Sequence, residues 1–200
     1  MTIYRIAEAA PLVGISTARL LGWARHPDGP CSRDAHPSVG LLSIGFRGLL
    51  EAAVASALVA QRLTASELRT VVRAARDVFQ DCHPLATAKF LDEGEELVDA
   101  VLPGRTLGRR FIRPAGFGAV DHDGNGAPVR WWPRGRRGGL LVDPLQCSGR
   151  LVDAASFVPV HLLAIAAETE GSVEKAAACW QVDVASVRNA VRHRALAGRI

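Results

Sequence analysis

Lysine is nearly missing from this chain: its 200 residues hold two, Lys89 and Lys175, against 22 arginines. Arginine offers a planar fork that fits phosphates and guanine edges, so the bias suits a nucleic-acid partner, and it is equally what a GC-rich genome produces. Long apolar runs are absent too. None approaches the ~18 to 20 residues that a membrane span needs, and the start MTIYRIAEAA has no basic stretch followed by a long apolar core. Neither a membrane partner nor a signal peptide is expected. The four cysteines, Cys31, Cys82, Cys147 and Cys179, form no C-x-x-C pair. Reduced thiols in a cytoplasmic protein are the simplest reading, and zinc at Cys31 with His36, or at Cys82 with His83, would lack a paired half-site. A Gly-rich phosphate loop, a nucleophile elbow and a metal-ligand cluster are also missing. The expectation is therefore a binding protein with no catalytic residue, metal or cofactor; an enzyme would have to work with Glu51, His83 or His161.

What is present is a chain with 48% hydrophobic and 22% charged residues, enough for one large domain or two small ones. Its net charge of +4 conceals a pattern. Residues 1–80 carry nine Arg against six acids, 81–102 one Lys against six, 103–141 eight Arg against two, and 142–200 six of each sign. The texture divides at the same places and predicts an α+β, mainly α fold. Residues 1–80 read as helices around a loop at 26–41, 81–141 as β-hairpins, and 142–200 as helices again.

Ile6, Ala9, Ala10 and Val13 lie on one helical face, Gly14 supplies a left-handed turn, and Ser16 caps a second helix to about Arg25. Leu20 and Trp23 are spaced to face back onto the first. This is the pattern of a helix-turn-helix, whose second helix enters a major groove by its N-terminal residues. Ser16 and Thr17 would meet phosphates, Arg19 a base edge and Arg25 the flanking backbone; the alternative is a helical hairpin with a solvated face. Pro11 predicts an early end to the first helix.

Phe46, Leu49, Leu50 and Val54 mark a wide apolar face on a helix to about Gln61, a candidate homodimer interface. Thr64 and Glu67 form a capping box for the next helix, whose Arg69, Arg73 and Arg76 read as a solvated stripe, with a DNA surface as the alternative. Glu51 is expected to pair with an arginine such as Arg47. His83–Leu91 and Glu95–Val98 are expected to form a hairpin turning at Asp92-Glu-Gly94, and a second hairpin spans 118–132. Its turn, Asp121-His-Asp-Gly-Asn-Gly126, resembles half a calcium loop, but Trp132 stands where the bidentate acid belongs, which favours a plain turn. Arg134, Arg136 and Arg137, interleaved with glycines beside Trp131 and Trp132, are candidates for nucleic acid, or else solvated arginines on a strand that the tryptophans anchor. In the last block Ser172 and Asp183 are placed to cap two helices.

The run Tyr4–Arg25, with Glu8, Ala10, Gly14, Ser16, Leu20 and Trp23, resembles the winged helix-turn-helix of the MerR superfamily; Pro11, Leu21 and Gly22 depart from its pattern. Val142-Asp-Pro144, Gly149–Val152, Val158-Pro-Val160, Gly171–Glu174, Ala177, Val182, Val187 and Ala190 resemble the small helical domain of many type II antitoxins. In this order the parts resemble VapB-type antitoxins. The resemblance implies a protein that neutralises a PIN-like ribonuclease toxin by direct binding and represses its own operon by binding operator DNA as a dimer. Arg188 and Arg192, outside the last apolar face, would then be toxin contacts. A stand-alone MerR-type regulator that senses a small ligand is the alternative.

Overall fold

The computed structural model describes residues 2–32, 35–38, 41–104 and 118–197. The fold is α+β and mostly helical, with eight helices and two small antiparallel sheets among those residues. The first sheet has the order β1-β3-β2. In it β1 (Ile3–Arg5) pairs with β3 (Leu41–Gly45), Tyr4 opposite Ile44, and β2 (Ala35–Ser38) makes a hairpin with β3. Sequence reading missed β1, because its partner lies some forty positions away and three residues carry no period.

Between β1 and β2 stand α1 (Ile6–Leu12) and α2 (Thr17–Arg25). Pro11 is the penultimate residue of α1, so the helix stops where the ring removes a backbone donor. Gly14 follows with φ +71°, a conformation in which a side chain would be strained. Ser16 Oγ then accepts the Arg19 N–H at 3.3 Å and starts α2.

α3 (Phe46–Ala60) runs through the centre of the molecule. Every residue from Gly48 to Ala55 is buried, and Phe46, Leu49, Leu50 and Val54 all belong to the chain's own core. The face assigned to a homodimer is thus consumed within the monomer: this helix is covered on nearly all sides, as a helix apolar all round must be. α4 (Ala65–Phe79) begins at the expected capping box, with Glu67 Oε2 accepting the Thr64 N–H at 2.8 Å and Thr64 Oγ1 accepting the Glu67 N–H at 3.2 Å.

The acidic hairpin expected over 83–98 is instead a helix, α5 (Ala88–Val101), after a single 3-10 turn at Pro84–Ala86. Thr87 Oγ1 accepts the Phe90 N–H at 3.1 Å, and Phe90, Gly94 and Val98 recur every four residues on the buried side. Gly94 is a contact point rather than a turn. The acids Asp92, Glu93, Glu96 and Asp99 face outward.

The second sheet is a meander, β4 (Ala119–His122), β5 (Pro128–Trp132), β6 (Leu140–Val142) and β7 (Leu151–Asp153). Its first hairpin is the one expected over 118–132. Asp123 Oδ1 accepts the N–H groups of Asn125 and Ala127, both at 2.9 Å, and Asp121 takes the Trp132 indole N–H at 3.1 Å, so both carboxylates serve the hairpin itself. Helix resumes only with α6 (Val160–Thr169), α7 (Val173–Trp180) and α8 (Val184–Ala197), later than the expected change at Val142. The three pack on one another, and Ser172 Oγ caps α7 through the Lys175 N–H at 3.1 Å.

The N-terminal strand is stitched to the second sheet. Thr2 Oγ1 donates to the Pro144 carbonyl at 2.8 Å, and the buried Tyr4 hydroxyl donates to the Gly149 carbonyl at 2.9 Å. Burial, reinforced by the Asp143 charge, pushes the Tyr4 pKa well above its ordinary value, so the hydroxyl keeps its proton. At Gly149 (φ +73°) a Cβ would come within 2.4 Å of both Thr2 Cγ2 and Tyr4 Oη, which leaves glycine as the residue that permits this approach.

Candidate nucleic-acid and partner interfaces

α2 is held by its inner face. Leu20 and Ala24 are buried, with Trp23 packed against the core, while Ser16, Thr17, Ala18, Arg19, Gly22 and Arg25 are exposed. Arg19 and Arg25 have no carboxylate partner among the described residues. The N-terminus of α2 therefore presents open N–H groups, two hydroxyls and a free guanidinium on one side, a combination that receives phosphate.

The loop behind α2 is fastened by α4. Arg76 donates to the carbonyls of Pro27 (3.1 Å) and Gly29 (2.9 Å) and to Ser32 Oγ (3.1 Å), and Arg73 lies 3.5 Å from Asp28. Of the expected solvated stripe, Arg76 thus clamps the loop that follows α2, while Arg73, largely exposed, makes a longer contact to the same loop. Helix periodicity shows which residues leave the core and is silent on what a loop forty residues away brings to meet them. Gly29 belongs to the same clamp: a Cβ there would sit 1.8 Å from the Trp23 carbonyl oxygen.

Glu51 pairs elsewhere than expected. Arg47 bonds Asp81 at 2.8 Å, and the fully buried Glu51 carboxylate has His83 Nδ1 3.3 Å from its Oε2. Burial raises the Glu51 pKa to about 7, against the lowering effect of the His83 contact and the Arg76 charge. For Asp81 burial also acts upward, but the His83 N–H and the Arg47 guanidinium outweigh it and hold the carboxyl below its usual range. This cluster ties α3 to the segment entering α5.

The other basic set has a different setting. Arg134, Arg136 and Arg137 are all exposed on the β5–β6 turn, where Gly135 and Gly139 take positive φ. Arg136 pairs with Asp121 and lies over the Trp132 ring, 5.7 Å from its centroid; Arg130, at the start of this segment, is engaged by the buried Asp143 at 2.8 Å. Trp131 is buried. The turn meets α8: Asn189 Nδ2 lies 3.5 Å from the Gly138 carbonyl oxygen, and burial followed by the Arg134 charge lowers the His193 pKa. Asn189 and His193 each adjoin one of Arg188 and Arg192, both exposed, with Arg188 3.9 Å from Glu174. Arg134, a nucleic-acid candidate, thus lies by α8, the helix that carries the toxin candidates Arg188 and Arg192, while α1 packs against α2. Arg105, Arg109, Arg110 and Arg113 of the basic middle segment lie outside the described residues.

The backbone resembles a known one. A crystal structure of Rv2018 from Mycobacterium tuberculosis superposes with a TM-score of 0.78 over 94% of this chain and 96% of that one, at 18% identity. Likeness at that identity shows the fold alone. No protein-family model and no curated protein matches the chain. Among the described residues no helix is long and apolar enough to cross a membrane, and no group of three or more His, Cys, Asp or Glu is arranged to hold a metal.

One further concavity joins the two ends of the chain. A cleft of about 600 Å³ opens between β1–α1 on one side and β7, α6 and α8 on the other. It falls within the size range of small-molecule sites.

Proposed function

We propose that this chain is a cytoplasmic antitoxin that binds operator DNA through α2 and a ribonuclease toxin of PIN type through the region around α8. The observation that carries the DNA half is the exposed start of α2. Ser16 and Thr17 flank open backbone donors, Arg19 stands one helical step further on, Arg25 marks the far end, and neither arginine is tied to a carboxylate among the described residues. α1, the Gly14 turn and α2 act as the helix-turn-helix, and the β2–β3 hairpin takes the place of a wing. In this reading Ser16, Thr17 and Arg25 hold phosphates and Arg19 reads a base edge. The toxin half rests on the exposed Arg188 and Arg192 of α8, with Arg134 near the same helix, basic groups suited to an acidic partner. The α3 face has no part in it, so two copies on a palindromic operator meet through another surface.

DNA from upstream of the coding sequence, labelled and titrated at two salt concentrations, tests the first half. Binding should weaken steeply with salt through counterion release, and Arg19→Glu should reduce affinity at least about tenfold. Salt-independent binding, or an unchanged Arg19→Glu variant, would sink it. For the second half, coexpression with the adjacent reading frame should yield a complex of defined mass, and Arg188→Glu with Arg192→Glu should break that complex while sparing DNA binding. The cleft favours a second reading, a stand-alone regulator that senses a small ligand, which recovery of the protein without a partner in that coexpression would support.

A further inference from the structure

The cleft is built from unlike materials. Ile3, Leu12 and the largely buried Val160 give it apolar wall, and Ile3 is left 51% exposed there. The polar part holds Arg150, His161 and His193, with Glu8 and Arg194 at the margins. Arg194 is taken by Glu168 at 3.0 Å, and Glu8 accepts the Arg5 N–H at 3.4 Å. Arg150 has no carboxylate partner among the described residues. Burial, followed by the Arg150 charge at His161 and the Arg134 charge at His193, lowers both imidazole pKa values, so the rings stand neutral near pH 7 as hydrogen-bonding groups. The turn that leads into Arg150 is itself strained: Cys147 and Ser148 both adopt left-handed conformations, φ 46° and 56°, before Gly149, a cost that persists only where surrounding contacts hold it.

We propose that this cleft is a binding site for a small organic anion, a carboxylate or phosphate ester with an apolar body, whose charged end meets Arg150. The body covers Ile3 and Leu12, and the neutral imidazoles of His161 and His193 complete the polar contacts. An inorganic ion would leave the apolar wall wet, and an uncharged ligand would leave Arg150 without a partner. The proposal holds whether or not the chain binds DNA. Because β1–α1 and α8 both line the cleft, an occupant would touch both α1, which packs on α2, and the helix that carries Arg188 and Arg192.

Calorimetric titration of the full chain with benzoate, phenyl phosphate, inorganic phosphate and benzamide tests it. Benzoate or phenyl phosphate, or both, should bind with Kd of about 1 mM or tighter, as the best small ligands of this size do; which of the two is tighter tells carboxylate from phosphate. Inorganic phosphate and benzamide should bind at least about tenfold more weakly, and Arg150→Gln should weaken the organic anions by about tenfold while the thermal midpoint without ligand stays near wild type, since Arg150 is exposed. Silence of both organic anions, inorganic phosphate binding as tightly as phenyl phosphate, benzamide binding as tightly as benzoate, or an unaffected Arg150→Gln variant would each overturn the proposal.

Discussion

Replacing Glu51 with glutamine should flatten the pH dependence of stability. The carboxyl is fully buried against His83, and burial lifts its pKa from 4.5 to about 7. Between those values the folded protein keeps a proton that the unfolded chain releases. The contribution of Glu51 is therefore complete below pH 4.5 and declines as pH rises to about 7, beyond which it is level. A gap of this size costs wild type on the order of 1 to 3 kcal/mol between about pH 5 and pH 8. The substituted amide keeps the shape and a hydrogen-bonding oxygen for His83 but has no proton to lose. Urea unfolding of wild type and Glu51→Gln at about pH 5, 6, 7 and 8 measures the difference directly, because His161 and His193, which titrate with the opposite sign, contribute equally to both. The variant should gain on wild type steadily across the series. Parallel profiles would refute the reasoning, and would mean that Glu51 stays ionised in the fold throughout.

Leu50→Ala, at a position with no exposed surface, should cost about 2 to 5 kcal/mol in denaturant unfolding without altering the native mass in solution; a shift from dimer to monomer at little cost in stability would restore α3 as an interface. Tyr4→Phe strands the Gly149 carbonyl and should cost about 1 to 3 kcal/mol, read as a lower urea midpoint with an unchanged slope; an unaltered midpoint would show that the bond between the N-terminal strand and the second sheet contributes nothing.

The position of α2 and the exposure of Ser16, Thr17, Arg19 and Arg25 were legible because the signals are local. A left-handed Gly14, a capping Ser16 and an inward Leu20 act within a dozen residues, and the same is true of the Thr64–Glu67 box, the Asp123 turn and the Ser172 cap. Where sequence reading went astray, the deciding partner was distant. Asp92-Glu-Gly94 has the composition of a turn, yet a buried face for Phe90, Gly94 and Val98 against α4 makes it a helix. The apolar face of α3 cannot announce whether its cover comes from a second copy or from the same chain. Arg76 reads as one more exposed cation until the Pro27–Ser32 loop arrives to be clamped, and Glu51 finds His83 rather than Arg47.

By itself, then, the sequence determined the punctuation of the chain, its caps, turns and helix faces, since these are set by steric and hydrogen-bonding preferences over about three to five residues. The tertiary structure alone decided which of the described arginines meet a carboxylate, that the β5–β6 turn meets α8 through Gly138 and Arg134, and that Arg150 and two histidines meet the apolar wall of β1 and α1 in a cleft. Those outcomes depend on contacts across long stretches of chain, whose loop-closure and packing energies leave no period in the sequence.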